Sequence, residues 1–505
     1  MQQTVLHYLE ESAVKYPHKI AVIDEQRRLS YTGLQDICRT VGSALAKRIT
    51  PRSGVGIYLE KSIPAFCSML GTLYAGCYYT TLNTELPQTR LQQIASVLHP
   101  ALIITCQDLL PQAEKTFPEI PLVCIETLQE QEIDSAALRE IRRKCIDTDP
   151  MYINFTSGST GTPKGIVVAH RSVMDFIDCF TELFQITEED VIANQAPFDF
   201  DVSVKDIYSS LKVGGTLLIL PRHLFSEPMR LIDFLCVHRA TTMIWAVSAL
   251  SLISTFHALD YKTPFTVNKI LFSGEVMPYK TLKNFRQHLP NATYVNLYGP
   301  TEITCNCTYY ILQPEQSYEN GIPIGKAFPN EEVFLLNEQN QKITEPNLPG
   351  ELCVRGTALA LGYYGSAEQN AKSFVQNPLC PAYPELIYRT GDLARYNENG
   401  DLVFCGRKDF QIKYMGHRIE LEEIEREMLK VDGVTQCCCL FDEKKSRLRG
   451  FYVGTAEKEA VHECMKKDLP GYMIPGFLRR LDQMPLNKNG KTDRAKLKEL
   501  AGVRR

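Results

Sequence analysis

A stretch rich in glycine and hydroxyl side chains carries the clearest chemistry in this sequence: Phe155-Thr-Ser-Gly-Ser-Thr-Gly-Thr-Pro-Lys-Gly165. Backbone N–H groups of such a loop form a concavity that binds anions, the hydroxyls add donors, and Lys164 adds a positive charge. The stretch is not a P-loop, because Pro163 takes the place of that motif's second glycine and blocks a helical turn. We therefore expect a loop between two strands that binds a polyphosphate such as ATP. A flexible surface linker is the alternative.

Seventeen cysteines raise the question of a metal site. Cys437, Cys438 and Cys439 lie in an apolar run, and adjacent strand residues point to opposite faces, so the three cannot converge on one ion. Cys305 and Cys307 could share a strand face, but no second pair follows at zinc-ligand spacing. We therefore predict that the triplet belongs to a buried strand and that no structural metal is bound, because cysteine usually acts as a small buried hydrophobe.

The length and composition are typical of a globular protein with more than one domain. A chain of 505 residues is too long for one ordinary core, and 44% hydrophobic with 23% charged residues is an ordinary balance. A formal charge of −4 provides no basic face for nucleic acid. The first residues lack the features of a secretory signal, and no long apolar run predicts a membrane span. We expect a cytoplasmic protein with reduced thiols and no membrane partner.

The elements that must position these residues alternate along most of the chain. Strand-like runs at 55–59, 101–105, 122–125 and 216–220 alternate with helical stretches such as 64–74. Such alternation predicts an α/β fold with mainly parallel sheets.

Turns then follow in quick succession, at Gly391-Asp392, Asn399-Gly400 and Gly406-Arg407, and indicate a boundary. A charged amphipathic helix over 420–429 and a strand over 436–441 come after them. The sequence therefore predicts a large domain over residues 1–407 and a small α+β domain over residues 408–505.

Seven motifs occur in an order typical of one superfamily. They are FTSGSTGTPKG at 155–165, NLYGPTE at 296–302, GELCVRG at 350–356, YRTGD at 388–392, GRKDFQIKYMGHRIELEEIE at 406–425, LPGYMIP at 469–475 and PLNKNGKTDR at 485–494. The chain resembles the adenylate-forming (ANL) enzymes, which include acyl-CoA synthetases, luciferases and the adenylation domains of nonribosomal peptide synthetases. The resemblance covers nearly the whole chain. It implies a large ATP- and amino-acid-binding domain with a β-barrel-like part, and a small mobile domain that swings about a hinge near Asp409.

The resemblance also implies an ATP site. Tyr298 is expected to lie against adenine, Asp392 to accept both ribose hydroxyls, and Glu302 to bind Mg²⁺ that bridges the phosphates. Thr301 is expected at the α-phosphate, and Arg407 and Lys413 at ribose and phosphate. The remaining expected ATP-binding residues are Thr156, Ser157, Gly158, Thr160, Lys164, Asn296, Leu297, Gly299 and Pro300.

Lys491 is the expected catalytic residue. In the family this lysine reaches the substrate carboxylate and the α-phosphate, where it stabilises the charge that develops during attack on ATP. Outside the motif, a solvated surface lysine would be the better interpretation.

The acid that is activated is expected to be an amino acid. Asp201 matches the aspartate with which amino-acid-activating members bind the α-ammonium group; capping of a helix is the alternative. The resemblance places the substrate-binding positions at Asp201, Val202, Lys205, Trp245, Leu271, Ser273, Leu297, Cys305, Asn306 and Lys491.

Lys205 is the unusual member of this set, because it stands four residues from Asp201 on the predicted helix and could pair with it. Lys205 either faces a substrate side-chain acid, which suggests an Asp-like or Glu-like amino acid, or turns to Asp206 and is structural. The sequence leaves both open.

The resemblance implies transfer of the activated amino acid to the phosphopantetheine thiol of a carrier protein. No Leu-Gly-Gly-[His/Asp]-Ser motif follows Lys491, so the carrier is expected to act in trans or to have been cut away. Two alternatives stay open. The segment Phe272-Ser-Gly-Glu-Val276, with Asn296-Leu-Tyr-Gly-Pro300, resembles D-alanine:carrier-protein ligases, although Lys205, Trp245 and Ser273 depart from their pattern. An acyl-CoA synthetase, with coenzyme A as the thiol, is the second alternative.

Overall fold

The computed structural model describes residues 4–157, 162–443, 445–486 and 492–500. Its chain forms two compact units. The first comprises Met1–Thr84, Leu98–Asn154 and Gly165–Lys408, and the second comprises Glu85–Val97, Phe155–Lys164 and Asp409–Arg505. The domain division predicted at 407/408 stays a prediction, because the second unit also includes two segments from the first third of the sequence.

The helices of the described residues are mostly short and amphipathic, and Ser30 and Ser62 cap two of them through their hydroxyls. In chain order they are α1 (Leu6–Lys15), α2 (Tyr31–Ala46), α3 (Ile63–Tyr74), α4 (Gln88–Leu98), α5 (Leu110–Thr116), α6 (Ile125–Gln129), α7 (Ser135–Lys144), α8 (His170–Leu183), α9 (Val202–Val213), α10 (Pro228–Val237), α11 (Val247–Thr255), α12 (Ala258–Tyr261), α13 (Tyr279–His288), α14 (Ala367–Ser373), α15 (Leu421–Leu429), α16 (Lys458–Asp468) and α17 (Arg494–Leu500), with 3₁₀ turns at Arg222–Ser226, Thr301–Ile303 and Gly471–Met473.

The strands are rich in β-branched and aromatic residues, as pleated and buried surfaces favour. They are β1 (Ile20–Ile23), β2 (Arg28–Ser30), β3 (Gly54–Ile57), β4 (Tyr78–Thr81), β5 (Leu102–Thr105), β6 (Leu122–Cys124), β7 (Pro150–Thr156), β8 (Lys164–Ala169), β9 (Val191–Asn194), β10 (Thr216–Ile219), β11 (Thr242–Ala246), β12 (Lys269–Ser273), β13 (Thr293–Tyr298), β14 (Thr308–Ile311), β15 (Lys326–Ala327), β16 (Glu331–Leu336), β17 (Lys342–Ile343), β18 (Gly350–Gly356), β19 (Gly362–Tyr363), β20 (Phe374–Gln376), β21 (Leu386–Tyr396), β22 (Leu402–Arg407), β23 (Gln411–Tyr414), β24 (His417–Glu420), β25 (Val434–Asp442), β26 (Arg447–Gly454) and β27 (Phe477–Leu481).

A nine-stranded sheet positions most of the predicted substrate-binding residues. Its order is β15-β14-β13-β12-β11-β9-β10-β1-β2, and the six strands from β13 to β1 are parallel. Alternate residues of each strand enter two separate cores. Ile244 and Leu271 belong to the core on one face, together with α9, whereas Met243 and Phe272 belong to the core on the other. Both faces are therefore buried, as is usual for parallel strands.

Two further sheets complete the first unit and confirm the predicted α/β class with a barrel-like part. A seven-stranded sheet has the order β19-β8-β7-β4-β3-β5-β6, and its neighbouring strands from β4 through β3 and β5 to β6 are parallel. A six-stranded antiparallel sheet has the order β17-β16-β18-β21-β20, with β22 paired to β21.

The second unit contains a three-stranded sheet, β25-β26-β27, with α15 and α16 contributing to its core. The predicted strand through the cysteine triplet is confirmed, because the triplet lies within β25. Cys438 and Cys439 enter different hydrophobic clusters, as alternation along a strand requires.

Over the described ranges, no helix has the length and apolar character needed to cross a membrane. The same ranges contain no group of three or more His, Cys, Asp or Glu side chains that could hold a metal ion.

Candidate active site

The carboxyl ends of the parallel strands bring polar residues together where α/β sheets commonly bind ligands. Asp201 stands at the N-cap of α9, but its carboxylate accepts no capping hydrogen bond. Its backbone carbonyl accepts a hydrogen bond from the Cys305 thiol, with the sulfur 3.0 Å from the oxygen. Burial, followed by the charge of Asp201, raises the pKa of this thiol well above its usual value, so Cys305 remains neutral.

Lys205 lies one helical turn beyond Asp201 and is fully buried. Its Nζ donates to Asn306 Oδ1 at 2.7 Å and lies 3.5 Å from Ser273 Oγ. The structure thus brings together three predicted substrate residues from three different elements: a helix, the end of β12 and the segment before β14. Asp206, the next residue, is directed elsewhere, because its Oδ2 accepts from Asn194 Nδ2 at 2.7 Å.

A close backbone contact holds Asn306 beside the end of β13. A Cβ atom on Gly299 would lie 2.4 Å from the Asn306 Cα and 2.8 Å from the Cys305 carbonyl oxygen, so only glycine fits at this position. Thr304 and Cys305 adopt positive φ angles of 52° and 77°, and these turn the chain sharply after the 3₁₀ segment. The glycine of the NLYGPTE motif therefore fixes the position of Asn306, a predicted substrate residue seven places later.

The apolar members of the predicted pocket fall into two groups. Leu271, Leu297 and Cys305 are buried in one core, on the sheet face that α9 covers. Val202, the first residue of α9, is partly exposed.

Trp245 requires a correction. It lies on the opposite face of the sheet, where its ring packs edge-on against Phe225 and its indole N–H donates to the Ala193 carbonyl at 2.8 Å. The physical reason is strand alternation, which turns each residue away from the face of its neighbours. Ala246, the next residue, lies on the same face of the sheet as Ile244 and Leu271. It was missed because a one-residue error in aligning a strand exchanges its two faces.

The predicted nucleotide residues form a hydrogen-bonded group. The Tyr298 hydroxyl donates to one oxygen of Asp392, and Arg407 donates to the other oxygen. Burial and the charge of Asp392 raise the pKa of the Tyr298 hydroxyl, which keeps it a donor. A carboxylate offers about four acceptor positions, so the Asp392 oxygens can accept from further donors. Asn296 uses one amide N–H on the Pro323 carbonyl at 2.9 Å.

Glu302 is almost fully buried in the 3₁₀ turn that also contains Thr301, directly after Gly299 and Pro300. Its Oε1 accepts from the Tyr363 hydroxyl at 2.7 Å. A hard carboxylate oriented by this hydrogen bond fits Mg²⁺, which uses one or two carboxylates together with substrate phosphates rather than a full protein cage.

The other predicted ATP residues belong to the second unit. Thr156 ends β7, Ser157 Oγ donates to the Arg418 carbonyl at 2.6 Å, and Lys164 begins β8. Lys413 lies in β23. Three predicted residues, Gly158, Thr160 and Lys491, lie outside the described residues.

Sequence reasoning also missed Lys61, a partly buried lysine that contacts the carboxyl end of β9. Lys61 Nζ donates to the carbonyls of Asn194 and Gln195 at 2.9 and 3.0 Å. Burial lowers the pKa of Lys61 to about 7, against the charges of Asp206 and Asp199. No local signal predicts this contact, since Lys61 and Asn194 are 133 positions apart.

Comparison with known proteins agrees with these observations. A family model described as "AMP-binding enzyme" matches residues 9–364. Zwittermicin A synthase ZmaJ of Bacillus cereus is 32% identical over 98% of this chain and 94% of its own length. Bacitracin synthase 3 of Bacillus licheniformis is also 32% identical over 98% of this chain, which spans only 8% of that relative. The solved structure of holo-PA1221, "an NRPS protein containing adenylation and PCP domains", has a TM-score of 0.85 and 27% identity, and covers 99% of this chain and 84% of its own.

The fold and the family match define an enzyme of the adenylate-forming class. Because the family model covers most of the chain, the protein belongs to the AMP-binding enzyme family, and it is close to the adenylation domains of nonribosomal peptide synthetases.

Proposed function

We propose that this protein uses ATP to activate an amino acid as an aminoacyl-adenylate and then transfers it to the phosphopantetheine thiol of a carrier protein. The relatives support the proposal: ZmaJ is similar over nearly its whole length, and holo-PA1221 combines adenylation and carrier (PCP) domains in one protein.

The observation that carries the amino-acid part is the position of Asp201. It stands at the carboxyl edge of the sheet beside Cys305, with Lys205 one turn further along α9. A carboxylate at such an edge suits the α-ammonium group of an amino acid, because a poorly solvated charge requires an opposite one. Its carboxylate caps no backbone N–H of α9, which favours this role over helix capping.

The nucleotide would be held by the group around Asp392. In this proposal Asp392 accepts the ribose hydroxyls, Tyr298 lies against adenine, and Arg407 fixes the carboxylate. Thr156, Ser157 and Lys164 would bind phosphate oxygens. Glu302 would hold Mg²⁺, which supplies positive charge to the phosphates when bound.

Two displacements make up the reaction. In the first, a carboxylate oxygen of the amino acid attacks the α-phosphorus, the bond from that phosphorus to the bridging oxygen breaks, and pyrophosphate leaves. In the second, the thiolate attacks the acyl carbon and AMP leaves. We assign Lys491 the stabilisation of charge at the α-phosphate during the first displacement.

ATP–pyrophosphate exchange across the amino acids tests the first displacement. We expect a narrow set of amino acids to support exchange, and fatty and aryl acids to give none. Lys491→Ala should reduce exchange at least about 100-fold, as loss of a main electrostatic group does. Lys488→Ala, three residues away in the same motif, is the matched control and should retain activity. Exchange that depends on acids without an amino group would contradict the proposal.

Thiol transfer needs its own assay. The protein, ATP and the preferred amino acid are incubated with a phosphopantetheine-bearing carrier domain or with coenzyme A, and thioesters are identified by mass. We expect aminoacyl carrier; aminoacyl-CoA as the dominant product would refute the carrier-protein part alone.

A further inference from the structure

The turns between β9 and α9 determine where Asp201 lies. Residues 195–201, the β9–α9 link, join the carboxyl end of the strand to the first turn of the helix, and Asp201 is their last member. Inside the link, the Phe200 N–H donates to the Pro197 carbonyl at 3.1 Å, which closes a turn. A binding residue on a loop is placed only as well as the surrounding scaffold holds that loop. The contacts of the link therefore bear on substrate binding.

Lys61 holds the start of the β9–α9 link. Its Nζ donates to the carbonyls of Asn194 and Gln195 at 2.9 and 3.0 Å. An ammonium offers three N–H donors and a neutral amine two, so both carbonyls keep a donor in either form of the lysine. The backbone beside Lys61 is itself fixed, because Ser62 is the N-cap of α3 and its hydroxyl accepts from the Ala65 N–H.

These contacts run from the carboxyl end of one sheet to that of another. Lys61 follows β3 and Asn83 follows β4, and the two strands are parallel neighbours in the seven-stranded sheet. Asn83 Nδ2 donates to Asp199 Oδ2 at 3.4 Å, within the link that follows β9 of the nine-stranded sheet. Two residues that are distant from Asp201 in sequence thus set the position of the link.

Charge strengthens the hold of Lys61 on the link and on α9. Burial raises the pKa of the Asp199 carboxyl to about 6 and that of the Asp206 carboxyl to about 7, and the positive charge of Lys61 opposes both shifts. Asp199 belongs to the link, and Asp206 lies in the second turn of α9. The lysine is therefore attracted to groups that precede and follow Asp201 along the chain.

The side chain of Gln195 also holds the link. Its Oε1 accepts from the backbone N–H of Ala246, the last residue of β11, at 3.2 Å. Strand β11 is the parallel neighbour of β9 in the nine-stranded sheet. The start of the link is therefore fixed by Lys61 through backbone carbonyls and by β11 through a side chain, and these two contacts can be removed separately.

We propose that Lys61 is a positioning residue for the amino-acid substrate: by holding the carbonyls of Asn194 and Gln195, it fixes the link that places Asp201 against the α-ammonium group. The inference rests on the proposed function, since it concerns binding of the amino acid that is activated. The α-ammonium group takes no part in the bond changes of either displacement. A shift of Asp201 therefore weakens binding of substrate and transition state alike, which raises KM for the amino acid and leaves kcat unchanged.

Two substitutions of Lys61 in the full chain test the inference. ATP–pyrophosphate exchange is measured with the amino acid that gives the fastest exchange in the wild type. Lys61→Met keeps the length of the side chain but removes its donors, and we expect KM for the amino acid to rise about 10- to 100-fold, with kcat and the Kd for ATP unchanged. Lys61→Arg keeps N–H donors and the positive charge, so it should restore part of the lost affinity.

Lys19→Met is the matched control. Lys19 Nζ also donates to a backbone carbonyl, that of Glu188, but this contact lies before the amino end of β9. We expect the control to change the free energy of unfolding without changing KM. Gln195→Met removes the second contact of the link and leaves Lys61 in place, and it should raise KM for the amino acid in the same way as Lys61→Met.

The outcomes separate the two proposals. If amino acids support exchange and Lys61→Met has the KM of the wild type, the positioning role is overturned and the proposed function stands. Equal losses in kcat, ATP affinity and amino-acid affinity would make Lys61 a purely structural residue and overturn the inference as well. Should Lys61→Met not fold, Gln195→Met decides, and an unchanged KM overturns the inference. If only acids without an amino group support exchange, both proposals fail.

Discussion

The two ends of the nine-stranded sheet carry buried polar clusters that differ in how completely their polar atoms are hydrogen-bonded. At the amino ends, Asp190 before β9 accepts from Thr187 N–H at 2.8 Å, from Thr241 and Thr242 hydroxyls at 2.7 and 2.8 Å, and from Lys269 Nζ at 3.0 Å. At the carboxyl ends of the same strands, β9 leads to Asn194 and β12 to Ser273. There, Asn194 Oδ1 and Asp206 Oδ1 are buried without a hydrogen-bond partner.

The difference separates structural from functional polarity. Burial raises the pKa of Asp190, but its hydrogen bonds and Lys269 outweigh burial and lower that pKa overall, so the carboxylate stays charged. Asp206 has fewer partners, so the effect of burial dominates and the pKa of its carboxyl is raised. A saturated cluster stabilises the fold, whereas an unsaturated cluster beside a candidate pocket keeps capacity for a ligand.

The largest loss of stability is expected from a substitution at the amino ends of the strands. Asp190→Ala leaves Lys269 without its buried partner and removes the acceptor of the Thr187, Thr241 and Thr242 donors. We therefore expect a loss of about 3–5 kcal/mol in the free energy of unfolding. Urea denaturation measures the loss. Asp233→Ala, which removes a solvent-exposed partner of Lys262, is the control and should change stability little. Equal effects of the two substitutions would contradict the structural role of Asp190.

Asp201→Asn makes the opposite test at the carboxyl ends. We expect kcat/KM for the amino acid to fall by about 100- to 1000-fold, because the α-ammonium loses its charged partner, which is worth about 2–5 kcal/mol. The free energy of unfolding and the affinity for ATP should be unchanged. Exchange kinetics and thermal denaturation of the same preparation check both parts, and an unchanged kcat/KM would remove Asp201 from substrate binding.

Thr242→Val sharpens the comparison by removing a single hydroxyl from the saturated cluster. We expect a loss of about 1 kcal/mol in the free energy of unfolding, the usual worth of one hydrogen bond, with exchange activity unaffected. A drop in activity at equal folded fraction would show that the two ends of the sheet are coupled.

The effect of Asp206→Asn on stability should depend on pH. Since the folded-state pKa of Asp206 is raised from 3.8 to about 7, its favourable contribution is present below pH 3.8 and is lost as pH rises through about 7. The variant cannot titrate, so its Tm relative to the wild type should increase from pH 5 to pH 8. A constant difference in Tm across this range would refute the assignment.

The fold was accessible from the sequence because its signals are local. Periodicity predicted strands at 55–59, 101–105 and 216–220, and the structure has them at Gly54–Ile57, Leu102–Thr105 and Thr216–Ile219. The predicted helix at 64–74 begins one residue earlier, at Ile63, where Ser62 caps it. Such elements follow from propensity and capping alone.

The site was accessible only where motifs fix the position of a residue. Lys205, Ser273 and Asn306 were expected together, and the structure brings them together. Trp245 was misplaced because no motif anchors β11 and a shift of one residue exchanges its faces. Lys61 was missed because its partners are distant in sequence, and only folding brings such groups within hydrogen-bonding distance.

Lys205, Ser273 and Asn306 come from a helix, a strand end and a loop, with more than thirty residues between each pair along the chain. Single substitutions can therefore alter one member without disturbing the backbone of the others. Such a pocket is open to evolutionary change one residue at a time. A one-residue insertion within β12 would not be tolerated in the same way. It would turn a neighbour of Ser273 toward the pocket and would exchange the residues that β12 contributes to the two cores.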